Sequence, residues 1–127
     1  LGLGFYKKVI VLPHVLTFEL VHNHGAAYGI FHGQRVFLLL VSVVVIVGSI
    51  IWQQKIIQSQ YSKYAVLFLL AGAIGNFIDR FVLGYVIDFI NIHILPVFNF
   101  ADIFINIAVG LFIVEMVIYE RKKDSLQ

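Results

Sequence analysis

The sequence predicts a mainly α, polytopic membrane protein that carries a small extramembrane β-structure. Three observations lead there. Of the 127 residues, 61% are hydrophobic and only 13% are charged, whereas a soluble domain carries about 25% charged residues. The apolar residues also fall into long runs rather than short alternating ones. The length suits a single domain, 1–127.

The elements follow in chain order. Residues 1–35 begin at Leu1, without methionine, and show no pattern of basic start, apolar stretch and small-residue cleavage site. Within them Val15 to His22 alternates, with Leu16, Phe18 and Leu20 on one face and Thr17 and Glu19 on the other, which is strand periodicity. Pro13 precedes this stretch and Asn23-His24-Gly25 follows it as a turn signal. The expectation for 1–35 is a β-rich segment outside the membrane, packed on the bilayer surface. Residues 36–52 form an apolar run broken only by Ser42, Gly48 and Ser49. At about 1.5 Å per residue, such a run nearly crosses a hydrocarbon core of roughly 30 Å.

A polar loop from Gln53 to Lys63 separates this run from a second span at 64–80, which is rich in small residues. Val86 to Phe98 contains Asn91 and Pro96 and is expected to be irregular and extramembrane. The third span, 100–119, contains Asp102, Asn106 and Glu115, which a helix facing lipid on all sides would avoid. A charged tail, Glu120 to Asp124, follows. With three spans, the loop at 53–63 and the tail share one side. That side holds Lys55, Lys63, Arg121, Lys122 and Lys123, against Lys7, Lys8, Arg35 and Arg80 on the other. The bias of five to four places the tail in the cytoplasm.

Chemistry is confined to few residues. There are no cysteines, and His14, His22, His24, His32 and His93 form no metal-binding spacing, so no metal is expected. A net charge of +2 gives no reason to expect nucleic acid. Asp79, Asp88 and Asp102 fall at one predicted membrane face. Two carboxylates held together can share a proton, one acting as base toward water and the other as acid toward a carbonyl. That route to peptide hydrolysis needs no metal and no cofactor.

At helical spacing, Gly72, Asn76 and Asp79 or Arg80 form one stripe, and Asn99, Asp102 and Asn106 another. Buried from lipid, the stripes should face each other, with Ala71, Gly72, Ala73 and Gly75 allowing close approach. The same stripes would also suit interhelical packing or a proton path through a transporter or channel subunit. Asp79 is expected to pair with Arg80, Glu115 to meet Arg121 or Lys122, and Asn99 to cap the third span with Asp102 in its first turn.

Three segments carry a family resemblance. Asn23-His24-Gly25-Ala26-Ala27-Tyr28-Gly29 resembles the N-x-G-A-A-[aromatic]-G segment of lipoprotein signal peptidases (signal peptidase II). Gly72-Ala73-Ile74-Gly75-Asn76-Phe77-Ile78-Asp79-Arg80 resembles their G-A-x-G-N-x-x-D-R segment. Val86-Ile87-Asp88-Phe89 and Phe98-Asn99-Phe100-Ala101-Asp102 resemble their V-x-D-F and F-N-x-A-D pair. The resemblance implies an aspartic endopeptidase with Asp88 and Asp102 as catalytic dyad and Asn23, Gly25, Asn76, Arg80 and Asn99 around the active site.

It further implies a bacterial cytoplasmic-membrane enzyme, active at the outer face as a monomer among membrane lipid. Its substrate would be a diacylglyceryl-modified prolipoprotein, cut just before the lipidated cysteine. The family fold has four transmembrane helices and a small β-cradle. This chain is expected to hold three of those helices, without the family's first. His24 stands where Thr is common, and Tyr28 where Phe or Trp is common.

Overall fold

A computed structural model describes residues 8–127. The first seven residues of the expected β-rich segment, Lys7 among them, lie outside the described residues. Strands β1 (Val9–Leu12) and β2 (Leu16–Asn23) form a hairpin turned at Pro13 and His14, where His14 takes a left-handed φ of 60°. Strand β3 (Val86–Asn91) pairs antiparallel with the other edge of β2, giving the order β1-β2-β3. The expectation of an irregular stretch from Val86 is thus corrected over its first six residues. Val86, Asp88 and Ile90 point inward in strand alternation. The aspartate within an otherwise apolar, β-branched run masked that period.

Along the first half of β2 the better-buried side chains are polar. Thr17 is buried and bonds His93 Nε2 at 3.0 Å, and Glu19 accepts from Asn91 Nδ2 at 2.7 Å and pairs with Lys8 at 3.2 Å. The alternate residues Phe18 and Leu20 are 41% and 55% exposed. A sheet standing in water turns its apolar face inward. Strand β2 instead keeps Thr17 and Glu19 against polar partners and leaves Phe18 and Leu20 exposed, an arrangement that fits an apolar surrounding.

Among the described residues there are four α-helices: α1 (Arg35–Ile51), the short α2 (Gln53–Ile56), α3 (Gln60–Val82) and α4 (Phe100–Asp124). The second and third expected spans are longer than the apolar runs alone suggested. Capped by Ser59, α3 begins at Gln60, four residues before the expected start, and α4 continues through the charged tail to Asp124. Both are long and apolar enough to cross a membrane. The 17 residues of α1 reach only about 25 Å.

Helices α3 and α4 form the most extensive helix pairing, and α1 packs on α3. The small residues of α3 make the close approach possible. A Cβ at Gly72 would lie 2.5 Å from Ala101 O and 2.6 Å from Ile105 Cγ1. At the opposite end of the pair, Glu115 accepts from Ser62 Oγ at 2.8 Å and from Ser59 Oγ. The expected contact of Glu115 with Arg121 or Lys122 is therefore replaced by one with the start of α3. Those cations lie six and seven residues further along α4, beyond the one-turn reach of helical side-chain pairs, whereas the capping hydroxyls of α3 abut Glu115 directly.

Gly72→Ala should therefore destabilise the helix pair by about 1–3 kcal/mol despite alanine's better helix propensity. Gly110→Ala on α4, where a Cβ meets nothing within 4 Å, should be neutral or stabilising. Thermal unfolding of both variants in detergent checks the contrast.

Candidate active site

The site lies where β3, the end of α3 and the start of α4 converge under the turn that follows β2. Asn99 is the N-cap of α4. Its Oδ1 accepts from Asp102 N at 3.0 Å, and its own N–H donates to Asp102 Oδ2 at 3.1 Å, a reciprocal capping box. The side-chain amide of Asn99 still has its donor. Nδ2 is shared among Asp88 Oδ1 at 3.0 Å, Asn76 Oδ1 at 3.0 Å and Ile87 O at 3.3 Å. Asn76, buried on α3, donates in turn to Asp102 Oδ1 at 3.2 Å. Asp88 and Asp102 are thus joined through one asparagine, which touches both.

Asp88 is 2% exposed. Its second oxygen accepts from Asn23 Nδ2 at 3.0 Å. Asn23 also makes the expected turn, its Oδ1 accepting from Gly25 N at 2.9 Å. Gly25 admits no side chain, because a Cβ would sit 2.7 Å from Ile30 O. Arg80 reaches across from α3 to Gly25 O at 3.2 Å, and its Nε is buried without a hydrogen-bond partner among the described residues. All seven residues singled out from the sequence therefore gather in one place: Asn23, Gly25, Asn76, Arg80, Asp88, Asn99 and Asp102.

Asp79 does not pair with Arg80 as expected. Its Oδ2 accepts from Ile87 N at 3.0 Å, fastening the strand residue next to Asp88 to the end of α3. The backbone amide wins because strand β3 passes the helix end there, while Arg80 turns the other way toward Gly25. Asn106 does not reach α3 either; it bonds back to Asp102 O at 2.8 Å and sits at the rim. Beside the carboxylates opens a cleft of about 1000 Å³. Apolar residues of the 95–98 turn and α4 line one wall, and Ala26, Ala27 and Tyr28 line the other.

Three histidines given no role from the sequence, His22, His24 and His32, also line the cleft, with His22 stacked on Tyr85 at 4.2 Å between ring centroids. Their spacing carried no signal because the turn after β2, rather than a helix face, brings them together. Among the described residues no cluster of three or more metal-ligating side chains occurs.

Burial pushes the Asp88 carboxyl up to about 6 from an ordinary value of 3.8. The hydrogen bond from Asn23 opposes this, the negative charge of Asp102 adds to it, and the Arg80 cation partly offsets the rise. Because the folded-state value is raised, this group's contribution to stability is fullest below 3.8 and is lost as pH rises through about 6. An Asn23→Ala change removes a donor that favours the ionised form. The protonated-carboxyl infrared band, assigned by its absence in Asp88→Asn, should then titrate at a higher pH than in the parental protein. A midpoint that stays or falls would contradict the geometry.

Residues 3–118 match the family Signal peptidase (SPase) II. The lipoprotein signal peptidase of Parasynechococcus marenigrum is 42% identical over 113 residues, covering 87% of this chain and 71% of that protein. The lipoprotein signal peptidase of Staphylococcus aureus is 36% identical over 123 residues, covering 91% and 74%. A bacterial membrane enzyme solved by the in meso method at 2.3 Å resolution superposes with a TM-score of 0.83 at 34% identity, covering 87% of this chain and 71% of that one. A second such enzyme, at 1.9 Å resolution, gives 0.72 at 34% identity, covering 87% and 74%.

Proposed function

Because the chain belongs to the signal peptidase II family, whose members remove signal peptides from prolipoproteins, we propose that it does so as an aspartic endopeptidase with Asp88 and Asp102 as its dyad. The observation that carries this reading is the Asn99 bridge. One side chain donates to Asp88 while its backbone N–H and amide oxygen hold Asp102. In this reading the attacking group is a water activated by the carboxylate pair.

In this reading the proton is assigned to Asp88, the more buried member, whose carboxyl burial raises above the ordinary range. Asp102 takes a proton from water as its oxygen attacks the scissile carbonyl carbon. Asp88 donates to the carbonyl oxygen, giving a neutral tetrahedral diol. On collapse, Asp88 recovers its proton from the diol hydroxyl while Asp102 passes its own to the leaving amine, and the C–N bond breaks. Each carboxylate returns to its starting state. Arg80 also lines the cleft, where its guanidinium would meet a backbone carbonyl of the substrate.

The apolar wall of the cleft suits the acyl chains of a diacylglyceryl-modified substrate cut just before its lipidated cysteine. The exposed apolar faces of α3 and α4 would let that substrate approach from lipid. Helices α1, α3 and α4 are read as three spans in the bacterial cytoplasmic membrane, with the site at the outer face and the protein working as a monomer. The transporter reading finds no counterpart in the relatives described.

Asp88→Asn and Asp102→Asn should each lower cleavage of a diacylglyceryl-modified prolipoprotein by roughly 10³-fold or more, and the double variant should be no worse than either. Substantial residual turnover in either single variant, folded and inserted, would remove the aspartic mechanism. For topology, reporters fused after Gln60 and after Gln127 should both lie in the cytoplasm; an outside signal at either would overturn the three-span arrangement.

A further inference from the structure

The wall of the cleft opposite α4 is a loop, residues 24–34, that belongs to neither the sheet nor a helix of its own beyond the 3-10 turn at Ala27–Gly29. It is knitted internally. Ala26 N donates to Ile30 O at 2.7 Å, Gly33 N to His24 O at 3.1 Å and Gln34 N to Phe31 O at 2.9 Å. Tyr28 and Phe31 stand in left-handed conformation, with φ of 58° and 59°. Large side chains hold that conformation only where surrounding contacts impose it. These backbone bonds tie the loop together, and its placement depends on where its two ends are fixed.

Both ends are fixed to the same turn of α3. At the near end, Arg80 Nη2 donates to Gly25 O at 3.2 Å. At the far end, Arg35 closes on the carbonyls that finish α3, Nε to Arg80 O at 2.8 Å and Nη2 to Phe81 O at 2.6 Å. Arg80 O also accepts from Gly84 N at 3.1 Å, and carbonyls at a helix C-terminus carry partial negative charge, so a guanidinium binds them well. The fork geometry of Arg meets two adjacent oxygens at once, which a lysine ammonium does not reproduce. Arg35 also lies over the turn at Gly84, whose φ of 88° sends the chain from α3 into β3.

We propose that Arg35 is a positioning residue for substrate binding: it pins the far end of the 24–34 loop to the end of α3 and so holds the loop wall against the cleft. The inference rests on the peptidase reading above for its substrate. Among the described residues Arg35 makes no hydrogen bond to Asp88 or Asp102, whose side-chain partners are Asn23, Asn76 and Asn99. Its loss therefore loosens the wall that the substrate lies against while leaving the dyad assembled.

The experiment has two arms on the full chain. In the kinetic arm, Arg35→Ala should raise KM for a diacylglyceryl-modified prolipoprotein about 5- to 10-fold with kcat within twofold of parental, and Arg35→Lys should recover part of the loss. A fall in kcat at unchanged KM, or an unchanged KM, would overturn the proposal, the latter by showing that packing of α1 on α3 suffices. In the second arm no substrate is present. The chain has no cysteine, so a nitroxide on Ile30→Cys, an exposed loop position, reports the loop alone. Its spectrum should sharpen when Arg35→Ala is added; an unchanged spectrum would overturn the proposal. Failure of the parental protein to cleave would count against the peptidase reading, and the nitroxide arm would still judge the anchor.

Discussion

Everything at the site depends on the hydrogen bonds that hold a buried carboxylate, Asp88, together with a half-buried one, Asp102. An isolated buried carboxylate is costly, and a pair of like charges more so. Asn99 meets that constraint. It supplies Asp88 with a donor, and it locks Asp102 into the first turn of α4 by a capping box. The cap that starts the helix and the bridge that joins the acids are the same side chain. Asn76 closes the circuit from α3, so the helix interface and the site share their bonds. Asp79 adds the third element by tying Ile87, and with it strand β3, to the end of α3.

Seen this way, the small residues of α3 belong to the site as much as to the packing. Asn76 reaches Asp102 only because Gly72, one turn earlier, lets α4 approach to within a distance that a Cβ would forbid. Gly25 does the same for the turn after β2, which must fold tightly enough for Asn23 to reach Asp88 and for Arg80 to reach Gly25 O. Two glycines and three asparagines thus bring four chain segments together around a pair of acids.

Much of this was legible in the sequence. Polar residues at helical spacing in apolar runs announced facing stripes, and Asn99 with Asp102 at an offset of three announced a cap. The turn at Asn23-His24-Gly25 was legible because its side-chain and glycine chemistry is local. What stayed hidden depended on partners distant in sequence. Strand β3 was unreadable as a strand because its inward position 88 carries an acid, and its pairing edge is more than 60 residues away on β2, where Asn23 pairs with Val86. Asp79 and Glu115 were assigned to neighbouring cations, the nearest opposite charges along the chain. Their partners are instead a strand amide and two capping hydroxyls, which no pattern of charge reveals. Arg35 looked like a flanking charge ahead of an apolar run, since its carbonyl partners lie at the end of a different helix.

The α3–α4 pair is fastened near both of its ends, by Asn76 with Asn99 and Asp102 at one and by Glu115 with Ser59 and Ser62 at the other. Two rivets fix the axial register of two rods. Neither rod can slide or scissor past the other without breaking polar bonds in an apolar surrounding. When the bilayer thins or thickens, such a pair has one inexpensive response, which is to tilt as a single body. The carboxylates then change their depth and inclination in the membrane while their spacing from one another stays as the helices set it.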